Sequence, residues 1–199
     1  MSTTHHDAVL QEAFYSTSGT SLWIKRAVLV ALGIAILAIA AKIRVPMWPV
    51  PITMGTFAVL TIGAAYGPKL GLTTIMGYML IGAFGFDVFA SSTAENNGLA
   101  YMLGGSGGYL LGYVLATAAL GYLARLGWDR TALKMGGALL IGNALIYIPG
   151  LLWLNGFAES WAQTFQWGLT PFLIGDAIKL ALAALLIPAI WKFVGSART

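Results

Sequence analysis

The stretch Trp167-Gly-Leu-Thr-Pro-Phe-Leu-Ile-Gly-Asp-Ala-Ile-Lys179 heads the last apolar run of the chain. That run continues from Leu180 to Val194 with Lys192 as its sole charge. From about Pro171 to Val194 it is long enough to cross a hydrocarbon core of ~30 Å as a helix. Asp176 and Lys179 stand three apart, so a helix puts them on one face. Ionised groups at such depth are costly unless they face a cavity, a partner or each other. Two readings follow: a mutual ion pair that settles the helix, or a site for a polar solute with the pair aimed inward. Pro171 suits a first helical turn, where its missing N–H is no loss. Asp176 then falls within about two turns of the positive end of the helix dipole.

Composition extends this reading to the whole chain. Of 199 residues, 58% are hydrophobic and 9% charged, against roughly 25% charged in a soluble domain. The basic residues are scattered singly or in pairs at segment ends, as membrane flanks are. The net charge of +4 therefore points to no nucleic acid. Cysteine is absent, which removes disulfides and thiolate metal sites, and no motif implies a cofactor.

Outward from the last run, five more apolar segments precede it. The first covers about Trp23 to Ala41, with Lys25 and Arg26 at its start and Lys42 and Arg44 beyond its end. Val45-Pro-Met-Trp-Pro-Val-Pro51 follows, and three prolines in six residues fit no continuous helix. Ile52–Tyr66 is short for a crossing, Gly67-Pro68 breaks it, and Lys69 to about Phe86 makes the next span. Gly107–Leu126 is the fourth segment. The fifth runs from about Leu133 to Leu154, interrupted near its end by Pro149-Gly150. The fold expected is an all-α integral membrane protein, a compact bundle of six transmembrane helices over residues 23–199. A polar cytoplasmic tail, residues 1–22, precedes it; no cleavable-signal pattern marks that tail, and His5 and His6 read as exposed side chains within it.

The loops Asp87–Ser106 and Asn155–Thr170 contain no Lys or Arg. With the N-terminus inside, Lys25, Arg26, Lys69, Arg125, Arg130, Lys134, Lys192 and Arg198 are cytoplasmic, leaving Lys42 and Arg44 outside. A bacterial cytoplasmic membrane is expected, with the Asp176/Lys179 end of the last helix toward the outer face.

Small residues recur every four positions at Gly104, Gly108, Gly112 and Ala116, the spacing that lets membrane helices approach closely. Ala27, Ala31 and Ala35 repeat it on the first span and make a candidate surface for a separate partner helix. Gly104-Gly-Ser-Gly-Gly108 lacks the Lys-Ser/Thr ending of a P-loop, so the chain is not expected to hydrolyse nucleotide. Asn143 and Tyr147 share a face of the fifth span, placed for an interhelical hydrogen bond or for a ligand. Trp153 is either an interfacial anchor or an aromatic wall.

Several of these stretches together resemble the BioY family, the biotin-specific S components of energy-coupling-factor (ECF) vitamin transporters. The matching pieces are Val50-Pro-Ile-Thr53, Gly67-Pro68, Phe84-Gly85 with Val88-Phe89, Gly107-Gly-Tyr109, Tyr147 with Gly150 and Trp153-Leu154, and Pro171-Phe172…Gly175-Asp176-Ala-Ile-Lys179. The resemblance covers about residues 45 to 180. It implies a vitamin pocket near the outer face of six membrane helices. It also implies partners: a membrane scaffold subunit with two ATPase subunits, docking through alanines spaced as Ala27, Ala31 and Ala35 are. Some relatives are thought to work without a dedicated module.

Biotin suits these residues chemically. Its ureido ring has two N–H donors and a carbonyl, its sulfur ring is apolar, and its tail is a carboxylate. Asp176 accepts from N–H groups, while Lys179 donates to a carbonyl or carboxylate. Tyr109, Tyr147 and Trp153 are candidate walls, with Asn143, Thr53 and Asn97 as further polar contacts. A different small vitamin fits the same pattern. A membrane enzyme would need a nucleophile, metal cluster or paired carboxylates that the spans lack. A purely structural protein leaves an intramembrane Asp and Lys without purpose.

Overall fold

The computed structural model describes residues 9–13, 20–93 and 95–196; His5 and His6 lie outside them. It is helical almost throughout. In chain order come α1 (Leu10–Ala13), α2 (Thr20–Lys42), a two-stranded antiparallel ribbon of β1 (Arg44–Val45) and β2 (Ile52–Thr53), and α3 (Gly55–Ala83). Then follow α4 (Gly98–Leu103), α5 (Gly107–Arg125), α6 (Ala132–Leu154), α7 (Trp161–Gly168) and α8 (Leu173–Ser196). Single 3-10 turns at Trp128–Arg130, Asn155–Phe157 and Thr170–Phe172 connect the later helices. Arg44 pairs with Thr53 and Val45 with Ile52 across the ribbon, so the proline-rich stretch is a turn between short strands.

Among the described residues, four stretches, Leu22–Lys42, Gly107–Arg125, Ala132–Phe157 and Trp161–Val194, are long and apolar enough to cross a membrane. The polarity of the bundle explains the composition. Ile24, Val28, Leu32, Ile36 and Ile39 of α2 and Ile174, Ile178, Leu182 and Leu185 of α8 face outward. An outer belt of this kind suits lipid, not water. Inside, buried Thr74 and Thr117 return their hydroxyls to the Leu70 and Tyr113 carbonyls, so neither needs solvent.

The break expected at Gly67-Pro68 is a sharp kink in α3: Gly67 has φ +75°, a conformation side chains avoid. Its two limbs, 55–66 and 68–83, correspond to the two segments separated by that break. The Val9 side chain fills the space where a Cβ on Gly67 would stand, at 2.9 Å. Val9 is fully buried, and Glu12 makes an ion pair with Arg125 at 2.7 Å. Part of the expected tail thus packs on the bundle.

Three expectations about segments need correction. Pro149-Gly150 does not interrupt the fifth span; α6 runs straight through both. A membrane helix tolerates the missing donor when neighbours pack around it, and here the Tyr109 ring lies against Gly150. The loop Asp87–Ser106 contains α4, and Asn155–Thr170 contains α7, capped by Ser160 accepting from the Gln163 N–H. Pro171 belongs to a 3-10 turn before α8, which brings Asp176 into the first turn of that helix.

At one end of the bundle, Lys42 pairs with Asp87 at 2.5 Å, and Arg44 donates to the Ala90 carbonyl and the Ser91 hydroxyl. The Lys42 ammonium, then the Ser92 hydroxyl, hold the Asp87 carboxyl below its usual range. At the other end, buried Asp129 accepts from the Trp191 indole N–H at 2.5 Å, and Arg130 lies over that ring at 3.5 Å. Burial pushes the Asp129 carboxyl up, while Trp191 and Arg130 oppose it.

Candidate functional site

Asp176 is 4% exposed and Lys179 9%. One turn of α8 sets them on a common face, and Lys179 Nζ lies 3.0 Å from Asp176 Oδ1. The second carboxylate oxygen accepts from the Tyr147 hydroxyl of α6 at 2.6 Å. Lys179 has two further acceptors, the Thr53 carbonyl at 2.7 Å and the Thr56 hydroxyl at 3.3 Å. An ammonium has three protons, and three acceptors surround this one. The ion pair is therefore one part of a network joining α8, α6, β2 and the start of α3.

That network forms the polar side of a cavity of about 60 Å³ between α3, α5, α6 and α8. Thr53, Thr56, Tyr147 and Lys179 line it, together with Tyr109, Tyr113, Phe172, Tyr78 and Phe89. The rings of Tyr109, Tyr147 and Phe172 meet edge to face, with centroids 6.1 and 6.4 Å apart. Tyr109 is fixed by its hydroxyl, which donates to the Gly168 carbonyl at 2.9 Å. Tyr101 and Ser106 also line a wider vestibule of about 450 Å³, walled by Trp48, Trp167 and Phe157. The arrangement is a mostly aromatic recess with a few fixed polar groups, the usual form of a small-molecule site. Lys179 is the cation at its wall; Asp176 stands behind it as counter-ion.

The comparisons with known proteins agree on what this arrangement belongs to. The family model described as BioY family matches residues 10–196. The chain belongs to the BioY family.

Among BioY relatives, the probable biotin transporter of Pyrococcus horikoshii is 35% identical over 81% of this chain and 93% of its own length. The biotin transporter of Thermotoga maritima is 32% identical over 76% of this chain and 87% of its own. A crystal structure of the S-component for biotin from an ECF-type ABC transporter superposes with a TM-score of 0.75 at 23% identity. It covers 88% of this chain and 95% of that one, a likeness of fold. The expected class, an all-α membrane protein, holds, and the chain is a multi-pass transport protein, not an enzyme.

Within this BioY fold the expected site residues separate into three groups. Thr53, Tyr109, Tyr147 and Lys179 line the cavity. Asp176 and Asn143 lie just behind, bounding with Thr56 and Lys179 a narrow crevice on the far side. Asn143 Oδ1 is buried there without a hydrogen-bond partner among the described residues. Trp153 and Asn97 are not brought to the cavity. Trp153 is 41% exposed and donates to the Gly104 carbonyl, tying α6 to the end of α4. Asn97 precedes α4 beside Gly85, and its neighbour Asn96 reaches the vestibule instead. Sequence reasoning missed Tyr113, Thr56 and Phe172. Tyr113 follows Tyr109 by four residues, a same-face signal that was present; Phe172 stands within the quoted Pro171–Lys179 motif. Thr56 reaches the site only because α8 brings Lys179 against the start of α3.

Proposed function

We propose that this chain is the biotin-binding membrane subunit of an uptake system. A separate membrane scaffold subunit and ATPase subunits of an ECF module energise it. The observation that carries this reading is the buried Lys179–Asp176–Tyr147 network set against an aromatic cavity. Lys179 donates to an oxygen of the ligand, either the ureido carbonyl or the carboxylate. Asp176, behind the cavity wall, holds Lys179 and Tyr147 in place as their shared acceptor. Tyr109, Tyr113 and Phe172 enclose the apolar ring. The names of the relatives, biotin transporters, support this substrate.

Biotin titrated into the purified chain is expected to bind saturably, one per chain, without ATP. Isothermal titration with no heat from biotin but clear binding of another vitamin would assign a different substrate.

The distribution of Lys and Arg supports six crossings in a bacterial cytoplasmic membrane from residue 23 onward, the N-terminus cytoplasmic and the vestibule outside. Ala27, Ala31 and Ala35 are all exposed on α2, so among the described residues no helix covers that stripe. It suits close approach by a scaffold helix. Ala31→Trp is therefore expected to abolish module-dependent uptake in cells and leave biotin affinity of the purified chain unchanged. Uptake at the wild-type level would remove the stripe from the docking surface.

A further inference from the structure

A second recess lies at the opposite end of the bundle from the aromatic cavity. Its volume is about 380 Å³. Arg26 and Trp23 from the start of α2, Lys69 and Thr73 from the second limb of α3, and Arg125 from the end of α5 bound it. Ala27, Val30 and Leu70 give it an apolar floor. Beside it runs a groove of about 410 Å³ between Ile24, Val28 and Leu29 of α2 and Ala65 of α3. Gln11 and Tyr66 belong to both, so the basic recess and the apolar groove are contiguous.

Among the described residues, the charges of this recess are not balanced. Glu12 is committed to Arg125, at 2.7 and 3.5 Å. Among the described residues, no carboxylate forms an ion pair with Arg26 or Lys69. The Arg26 guanidinium stands 5.9 Å from the centre of the Trp23 ring, an amphipathic pair of the kind found at headgroup level.

We infer that this recess binds the phosphodiester headgroup of an anionic phospholipid, with an acyl chain in the adjoining groove. A guanidinium offers a planar fork of donors and an ammonium a compact point charge, and both recognise phosphate oxygens. Basic recesses between membrane helices at the interface are suited to such headgroups. The groove distinguishes a lipid from a soluble phosphate, since only the lipid gains contacts along it. A zwitterionic headgroup brings its own cation into a site whose carboxylate, Glu12, is already paired. The proposal is independent of which solute the aromatic cavity takes.

Native mass spectrometry of the purified protein with phosphatidylglycerol and phosphatidylcholine of matched chains tests it. One phosphatidylglycerol should be retained in clear preference to phosphatidylcholine. Arg26→Gln with Lys69→Gln should weaken its retention roughly thirty-fold, at about one favourable increment per cation. Each single replacement should give part of the loss, and Lys69→Arg should keep the preference. Both side chains are exposed, so thermal unfolding of these variants should match wild type. Equal retention of the two lipids by wild type, or an undiminished preference in the double and single variants, would overturn the inference. So would displacement of the lipid by inorganic phosphate or glycerol 3-phosphate at comparable concentration, which would mark a soluble-anion site.

Discussion

Asp176→Asn is expected to lower biotin affinity roughly thirty- to several-thousand-fold, the effect of about 2–5 kcal/mol for removing one partner of a buried, hydrogen-bonded charge pair. The replacement keeps the shape of the side chain, but it removes the charge facing Lys179 at 3.0 Å and alters the acceptor of the Tyr147 hydroxyl. Lys179 is then a buried cation held by neutral acceptors alone: the new amide oxygen, the Thr53 carbonyl and the Thr56 hydroxyl. Lys179→Met should do comparable damage, since it also removes the cation at the cavity wall. The double variant, Asp176→Asn with Lys179→Met, restores neutrality, and thermal stability should recover relative to the singles. Biotin binding should not recover, because the ligand has lost its donor. Affinity and melting temperature measured on all three variants separate the two roles. A double variant that binds like wild type would show that the pair only settles α8.

Gly112→Val is expected to cause a large loss of stability. A Cβ at Gly112 would stand 2.6 Å from Ile146 Cα, 2.7 Å from the Ile146 carbonyl oxygen and 2.9 Å from that of Leu145. All three are backbone atoms of α6, so no side-chain rotation relieves the contact. Overpacking costs about 1–3 kcal/mol where neighbours adjust; here the helices themselves must separate. A cost near 3 kcal/mol corresponds to roughly 6–12 °C in melting temperature for a chain of this length. Gly136→Ala is the control, with nothing within 4 Å of the added carbon. A Gly112→Val protein melting with that control would mean that α5 and α6 do not approach as closely as described.

The two small-residue stripes show where sequence reasoning reaches its end. Gly108, Gly112 and Ala116 on one helix and Ala27, Ala31 and Ala35 on another have the same spacing. Spacing gives a face but not what lies against it. Gly108 and Gly112 abut the α6 backbone, and Ala116 is fully buried. The alanines of α2 are exposed.

Sequence alone determined the membrane class, because 58% hydrophobic residues in long runs satisfy no water-soluble surface. It determined the break at Gly67-Pro68 and the non-helical proline stretch, since both follow from local backbone restriction. It also brought Asp176 and Lys179 together, because helical periodicity acts within a single segment. Tertiary structure decided what came from separate segments. Tyr147 lies 29 residues from Asp176, and the Thr53 carbonyl accepts from Lys179 across 126 residues. No periodicity spans such distances; the packing of α3, α5, α6 and α8 sets them. The same packing kept Trp153 and Asn97 away from the cavity and turned Lys179, with Asp176 behind it, toward the aromatic wall. An aromatic or amide side chain suits a rim, a loop or a pocket equally well by its chemistry, and only its neighbours in space decide which.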